Sequence, residues 1–158
     1  MRRRAVMTGM ALAALLWAMP AAAQGRQFGV RGGVSADPDQ FFIGGHYETR
    51  PIVDRLTFKP NIEIGFDDES VLAAINFEFA YRIPIEKKPF FVYVGGGPAV
   101  NIFNRNNNDM AGEGDEDHVG PGFNFLAGLQ LDQGLFFEIK LGVVDSPDFK
   151  FTVGYTFK

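Results

Sequence analysis

The amino-acid sequence predicts an all-β protein, an eight-stranded antiparallel up-and-down β-barrel. Eight stretches of the chain carry apolar residues at every second position, as expected for strands with one apolar face. Clusters rich in Asp, Gly and Pro separate these stretches and indicate turns. The chain of 158 residues also contains 17 phenylalanines and 19 glycines, a composition that favours strands over helices.

The first stretch of the chain has the features of a cleaved secretory signal peptide. Residues 2–4 are arginines, an apolar segment follows, and residues 21–23 are alanines that form a small-residue cleavage site. We therefore expect residues 1–23 to be a signal peptide and residues 24–158 to form one barrel domain. A retained membrane anchor is the alternative, and the short apolar segment and the cleavage motif disfavour it.

The strands are expected in order along the remainder of the chain. Their alternation covers residues 28–34, 41–48, 56–66, 71–83, 91–102, 123–131, 135–144 and 149–158. An even number of strands is typical of bacterial single-chain barrels. One connection, residues 103–121, is long and rich in Asn, Asp, Glu and Gly, whereas the others are short.

Two prolines lie inside expected strands. Pro60 and Pro98 have no backbone N–H to donate to a ladder. We expect a bulge or a strand end at each of them, and the three glycines before Pro98 favour a kink there.

Alternation alone does not say which face of the barrel is outside. A soluble ligand-binding barrel turns its apolar face inward, whereas a membrane barrel turns it outward. Eight strands enclose just enough room for side chains to fill, and fifteen aromatic rings would overfill it. The aromatic load of the apolar face therefore favours a transmembrane barrel. These rings belong to Phe28, Phe41, Tyr47, Phe58, Phe66, Phe77, Phe79, Tyr81, Phe123, Phe125, Phe137, Phe149, Phe151, Tyr155 and Phe157.

The opposite face carries charges of both signs at many points along the strands. Facing lipid, each Arg or Lys at mid-bilayer would cost about 2–4 kcal/mol. Inside a narrow lumen the same groups can pair across strands. We therefore expect a charged network that closes the lumen. Its members are Arg31, Glu48, Lys59, Glu63, Glu78, Arg82, Glu138, Lys140 and Lys150.

The final strand carries the most specific pattern in the chain. Residues 149–158 read FKFTVGYTFK, an alternating strand with an aromatic residue next to its end. With this pattern, residues 24–158 resemble the small eight-stranded outer-membrane barrels of Gram-negative bacteria, the OmpA/OmpX-like group. This sequence departs from that group by one residue, since Lys158 follows the terminal aromatic.

The resemblance implies a location in the bacterial outer membrane and a structural, adhesive or surface-presenting role without catalysis. It further implies that outer-membrane lipid and lipopolysaccharide are partners. The barrel-assembly machinery would recognise the outward side chains of the last strand. These are Phe149, Phe151, Val153, Tyr155 and Phe157.

The long connection is the strongest candidate for a metal site. It contains the carboxylates Asp109, Glu113, Asp115 and Asp117, whose oxygens suit Ca²⁺ or Mg²⁺. Their spacing does not match an EF-hand, and a solvated acidic loop is the simpler interpretation. We therefore assign no metal site, and keep the hypothesis that divalent cations bridge this rim to lipopolysaccharide phosphates.

Other functional classes find little support in the sequence. The chain has no cysteines, which excludes thiol chemistry, and its net charge of −4, or −7 without the three leader arginines, disfavours nucleic-acid binding. No cofactor motif is present. The histidines His46 and His118 lack a nucleophile signature, and we expect His46 to pair with Glu48 in a buried polar ladder.

Two alternatives remain beside the outer-membrane barrel. One is a soluble lipocalin-like periplasmic barrel that binds an apolar ligand, although the G-x-W signature of lipocalins is missing from the mature chain. The other, less favoured, is a lipid-modifying barrel enzyme that uses His46.

Overall fold

The computed structural model shows a closed barrel of eight antiparallel strands. Each strand pairs with the next along the chain, and the last pairs with the first. It describes residues 27–67, 70–105 and 118–157. The expected signal peptide, residues 1–23, lies outside these ranges. No helix in the described ranges is both long and apolar enough to cross a membrane. The predicted fold class, an all-β up-and-down barrel, is confirmed.

The strands have the following bounds. They are β1 Gln27–Ala36, β2 Gln40–Glu48, β3 Leu56–Phe66, β4 Ser70–Pro84, β5 Phe90–Arg105, β6 His118–Leu131, β7 Leu135–Val143 and β8 Phe149–Phe157. We call the end that carries the β5–β6 connection the loop end. The opposite end, where β1 begins and β8 finishes, is the terminal end.

The expected bounds of the long connection are wrong. The structure extends β5 to Arg105 and starts β6 at His118, so strand replaces part of the connection expected at residues 103–121. The inward positions of this added segment of β6 are Gly120 and Gly122. Because glycines give no contrast between a polar and an apolar face, the alternation was hidden there.

The strands are steeply tilted against the barrel axis. Each pair keeps one register along its whole length. Following these registers once around the barrel returns to β1 about ten residues further along the strand, and such an offset requires tilted strands. The tilt brings side chains from strands that are not neighbours to the same height in the interior.

The expectation of a bulge or a strand end at each proline is wrong. Both strands run through, and one ladder instead skips the proline. The β2–β3 register stops at the pair His46–Asn61, next to Pro60, and the β4–β5 register omits Pro98 together with Gly97. The other ladder of each strand is continuous, pairing Pro60 with Phe77 and Pro98 with Phe123. The missing N–H therefore leaves a local gap in one ladder of each strand, and the register does not change.

Gly97 provides a test of how closely β4 and β5 approach. A Cβ at this position would collide with the carbonyl oxygen of Phe77 and lie 2.8 Å from the Cα of Glu78. We expect Gly97→Ala to lower the free energy of unfolding by about 1–3 kcal/mol, as overpacking does. Urea titration of the refolded barrel in lipid vesicles measures it.

Gly45→Ala is the matched control for this substitution. A Cβ there would meet only the carbonyl oxygen of Gly29, at 3.6 Å, so we expect stability to stay the same or rise slightly. Equal effects of the two substitutions would contradict the close approach of β4 and β5.

Candidate functional site

The outer surface of the barrel is apolar and aromatic. Twelve of the fifteen aromatic side chains expected on this face are exposed, among them Phe41 and Phe125 with more than half of their surface. The other three, Phe28, Tyr47 and Phe58, are half-buried against neighbouring rings. This arrangement is the reverse of the one that the soluble lipocalin-like alternative requires.

The interior contains the nine charged residues that the sequence singled out. Eight of them are buried, and the ninth, Arg82, keeps 25% of its side chain exposed at the terminal end. The structure therefore places the charged face inside the barrel, at several heights along the axis.

Lys140 lies at the centre of the charged network. Its Nζ is 2.8 Å from a carboxylate oxygen of Glu78, 3.1 Å from one of Glu63 and 3.7 Å from one of Glu138. Arg31 Nη1 links two of these carboxylates, at 3.0 Å from Glu63 and 3.3 Å from Glu138. Two cations thus bridge three carboxylates, which come from β3, β4 and β7.

Two further lysines extend the network and contact aromatic rings. Lys59 Nζ is 3.2 Å from Glu138, and it lies over the rings of Tyr93 and Phe136, 4.4 and 4.5 Å from their centroids. The Tyr93 hydroxyl donates to the same carboxylate at 2.8 Å. A lysine held in this way has its charge stabilised from three sides.

Lys150 reaches the network from the loop end. Its Nζ donates to Glu63 at 2.8 Å and lies 5.2 Å from the centroid of the Phe42 ring. Three aromatic rings that contact these cations also occupy inward positions, namely Phe42, Tyr93 and Phe136. The sequence analysis selected interior residues by their charge and therefore did not identify these rings.

Three asparagines connect the walls of the barrel at mid-height. Asn124 donates to the side-chain oxygen of Asn76, and Asn76 donates to that of Asn61, both at 2.8 Å. Asn61 in turn donates to Glu78 at 2.7 Å. Sequence reasoning did not identify this chain of amides. Asn61 and Asn76 face each other on the neighbouring strands β3 and β4, but Asn124 comes from β6, which does not pair with either strand.

The terminal end of the lumen has a separate group of polar contacts. Glu48 forms an ion pair with Arg82, whose guanidinium lies over the ring of Phe91. His46 Nε2 is 3.0 Å from the hydroxyl oxygen of Thr156. The expected pairing of His46 with Glu48 is therefore replaced by two different pairs, because the tilt brings β4 and β8 to the same height.

These side chains fill the interior. A small cleft at the loop end has no enclosed space for a water molecule. It is lined by Ser35, Gln40, Phe42, Glu63, Gly65, Leu72, Ala74 and Lys150. Within the residues that the structure describes, the arrangement is that of a filled lumen.

The four weak metal candidates, Asp109, Glu113, Asp115 and Asp117, lie outside the described residues. In the ranges 27–67, 70–105 and 118–157, no three His, Asp or Glu side chains are grouped so as to hold a metal ion. His118 is exposed at the start of β6, with Nε2 3.9 Å from Oδ2 of Asp145.

We expect the central lysine to be required for stability. Lys140→Met leaves three carboxylates in the interior with one cation fewer, and breaking a buried ion pair costs about 3–5 kcal/mol. Urea unfolding of the refolded barrel measures the loss. Lys88→Met, on an exposed turn, is the control, with an expected change below about 0.5 kcal/mol. The same small change for both variants would show that the network does not stabilise the barrel.

Known structures with the same architecture were found, although no protein-family model and no curated protein matches the sequence. The N-terminal β-barrel domain of Pseudomonas aeruginosa OprF is 15% identical with a TM-score of 0.60, and the match covers 85% of this chain and 98% of that domain. Neisserial surface protein A is 14% identical with a TM-score of 0.59, over 84% of this chain and 95% of that protein. The resemblance inferred from the sequence is thus confirmed at the level of the fold: this chain has the eight-stranded barrel fold of bacterial outer-membrane proteins.

Proposed function

We propose that this protein spans the outer membrane of a Gram-negative bacterium as a closed barrel with a structural, adhesive or surface-presenting role. The observation that carries the proposal is the exposed band of aromatic and aliphatic side chains around a charged, filled interior. Soluble monomers rarely expose continuous apolar patches beyond a few hundred Å². Lipid provides the surroundings in which this band is stable.

The positions of the tyrosines support an orientation in the bilayer. Tyr47, Tyr81 and Tyr155 face outward near the terminal end, whereas the outward rings nearest the loop end, such as Phe41 and Phe149, are phenylalanines. Tyrosine prefers the membrane–water interface because its ring is apolar and its hydroxyl polar. The tyrosines therefore mark one interface, which we assign to the periplasmic side because barrels of this kind have short turns there.

The filled lumen supports a role other than wide-pore transport. Lys140, Arg31 and Lys59 hold three carboxylates in the middle of the barrel, and the asparagine chain crosses it at a similar height. A porin needs a water-filled channel, which larger barrels enclose. We therefore propose that the charged network closes the lumen and stabilises the barrel.

A non-enzymatic role is part of the proposal. The enzyme alternative relies on His46, which is 4% exposed and contacts the fully buried Thr156. Gln130 donates to the same hydroxyl oxygen at 3.1 Å. These contacts satisfy the Thr156 hydroxyl inside the wall of the barrel, where a lipid substrate has no access.

The loop end has a strongly acidic rim. Among the described residues its turns carry five carboxylates, from Asp37, Asp39, Asp67, Asp145 and Asp148. We propose that divalent cations bridge this rim to lipopolysaccharide phosphates, since hard cations bind carboxylate and phosphate oxygens.

The outward face of β8 supports recognition by the barrel-assembly machinery. Its five alternating residues are all exposed. They are Phe149, Phe151, Val153, Tyr155 and Phe157. An alternating apolar strand at the end of the barrel is a surface that the machinery can bind before the barrel closes.

The membrane location is tested by cell fractionation and gel mobility. We expect the protein to sediment with the outer membrane, and to migrate faster unheated than boiled because the closed barrel is more compact than the unfolded chain. Recovery in the periplasm without detergent would contradict the proposal.

The cation bridge is tested on the purified barrel in vesicles that contain lipopolysaccharide and Mg²⁺. We expect a chelator to release bound lipopolysaccharide, and Asp37→Asn with Asp39→Asn to weaken its binding, while phospholipid association stays the same. Lipopolysaccharide binding that resists both treatments would exclude the bridge.

A further inference from the structure

The β7–β8 connection, residues 144–148, turns inward at the loop end. Pro147 is buried and Ser146 is half-buried, although neither belongs to a strand. Asn101, on the inner face of β5, donates from Nδ2 to the carbonyl oxygen of Asp145 at 2.5 Å and to Oγ of Ser146 at 3.1 Å. One interior side chain thus holds two consecutive residues of the connection.

Three glycines provide the room for this close approach. A Cβ on Gly120 would lie 2.8 Å from Oδ2 of Asp145. A Cβ on Gly122 would collide with Oγ of Ser146, and one on Gly142 would collide with the carbonyl oxygen of Pro147. The connection therefore packs directly against the backbone of β6 and β7.

The connection lies where the barrel wall is incomplete. The β6–β7 register begins at the pair Phe123–Val143, so residues 118–122 of β6 have a strand partner on the β5 side only. Because Gly120 and Gly122 contact the connection, it covers the inner face of this protruding segment.

The first residues of the connection have an unfavourable backbone conformation. Val144 has a φ of 57° and Asp145 a φ of 36°, in the left-handed region that a β-branched residue such as valine rarely adopts. The side chain of Val144 is 70% exposed, so its own packing does not hold it there. Contacts further along the connection must maintain the conformation.

We propose that the β7–β8 connection is a latch over the loop end of the lumen. The Asn101 hydrogen bonds and the close packing against Gly120, Gly122 and Gly142 keep it closed. Breaking these hydrogen bonds opens it and lets Val144 leave its unfavourable backbone conformation. An open latch exposes the inner face of β5 and β6 at this end to the surrounding solution. The proposal depends on the geometry of the barrel and not on its function.

The latch is tested by thiol labelling, because the chain has no cysteine of its own. Ser146→Cys reports on the latch, because it replaces one acceptor of Asn101 but keeps the shorter hydrogen bond to the carbonyl oxygen of Asp145. Asp148→Cys, at an exposed position, gives the unrestricted rate. In the folded barrel, we expect a small water-soluble thiol reagent to label Ser146→Cys at least about tenfold more slowly than Asp148→Cys.

Substitutions of the holding side chain then identify what keeps the latch closed. Asn101→Ala removes the donor, and Asn101→Asp removes it at nearly constant size. We expect each to raise the labelling rate of Ser146→Cys about tenfold, the factor that corresponds to about 1.4 kcal/mol. Gln130→Ala, which removes an equally buried amide at the terminal end, is the control and should leave the rate unchanged.

Val144→Gly gives an independent test in the opposite direction. Glycine adopts a positive φ without strain, so we expect this substitution to favour the closed latch and slow the labelling of Ser146→Cys. The mobility of the unheated protein on a gel checks that each variant is folded. The proposal is wrong if Ser146→Cys is labelled as fast as Asp148→Cys. It is also wrong if the folded Asn101 variants do not raise the labelling rate of Ser146→Cys, or if Val144→Gly does not lower it.

Discussion

The structure depends on the mutual neutralisation of charges that the barrel encloses. Lys140, Arg31, Glu63, Glu78 and Glu138 are nearly inaccessible to solvent, and each lies within ion-pair distance of another member of this group. An unpaired charge in such a place would cost several kcal/mol, so the positions of these five side chains are tightly coupled. A shift of β1, β3, β4 or β7 by one residue in register would turn its charged side chain toward the outside.

The outer surface follows from the same constraint. Once alternate residues are committed to a polar interior, the remaining half of each strand has to face outward, and here it is phenylalanine, tyrosine and branched aliphatic residues. Closure of the sheet pairs the strands on both sides through most of the barrel and removes open edges. At the loop end, where the pairing of β6 with β7 stops, the β7–β8 connection covers the inner face instead.

Alternation was sufficient to predict the strand number and the division of each strand into two faces. The aromatic load of one face and the mixed charges of the other predicted which face is outward and which residues form the charged set. Alternation was not sufficient to predict which interior side chains contact each other. Lys140 meets Glu78 because the tilt brings β4 and β7 to one height, and this offset is a property of the closed barrel that no single strand encodes. For the same reason, the separate pairs of His46 with Thr156 and Glu48 with Arg82 were not foreseen.

Residues without contrast between neighbours were the other source of error. Gly120 and Gly122 carry no side chain, so the sequence pattern predicted a loop where β6 begins. Phe136 and Tyr93 point inward within segments that are apolar on both faces, and their role as ring partners of Lys59 becomes visible only with coordinates. Pro60 and Pro98 are tolerated because each faces a gap in a single ladder, a solution that local sequence rules do not distinguish from a bulge.

The most direct test of the central claim is the environment of the outward face, measured one residue at a time. Nitroxide spin labels attached to single cysteines at Phe149, Phe151, Val153, Tyr155 and Phe157 of β8 report on it in the refolded barrel in lipid vesicles. Collision rates with oxygen, which concentrates in lipid, should exceed those with a water-soluble nickel complex, most strongly in the middle of the strand. Higher collision rates with the nickel complex along the whole strand would place this face in water and contradict the account.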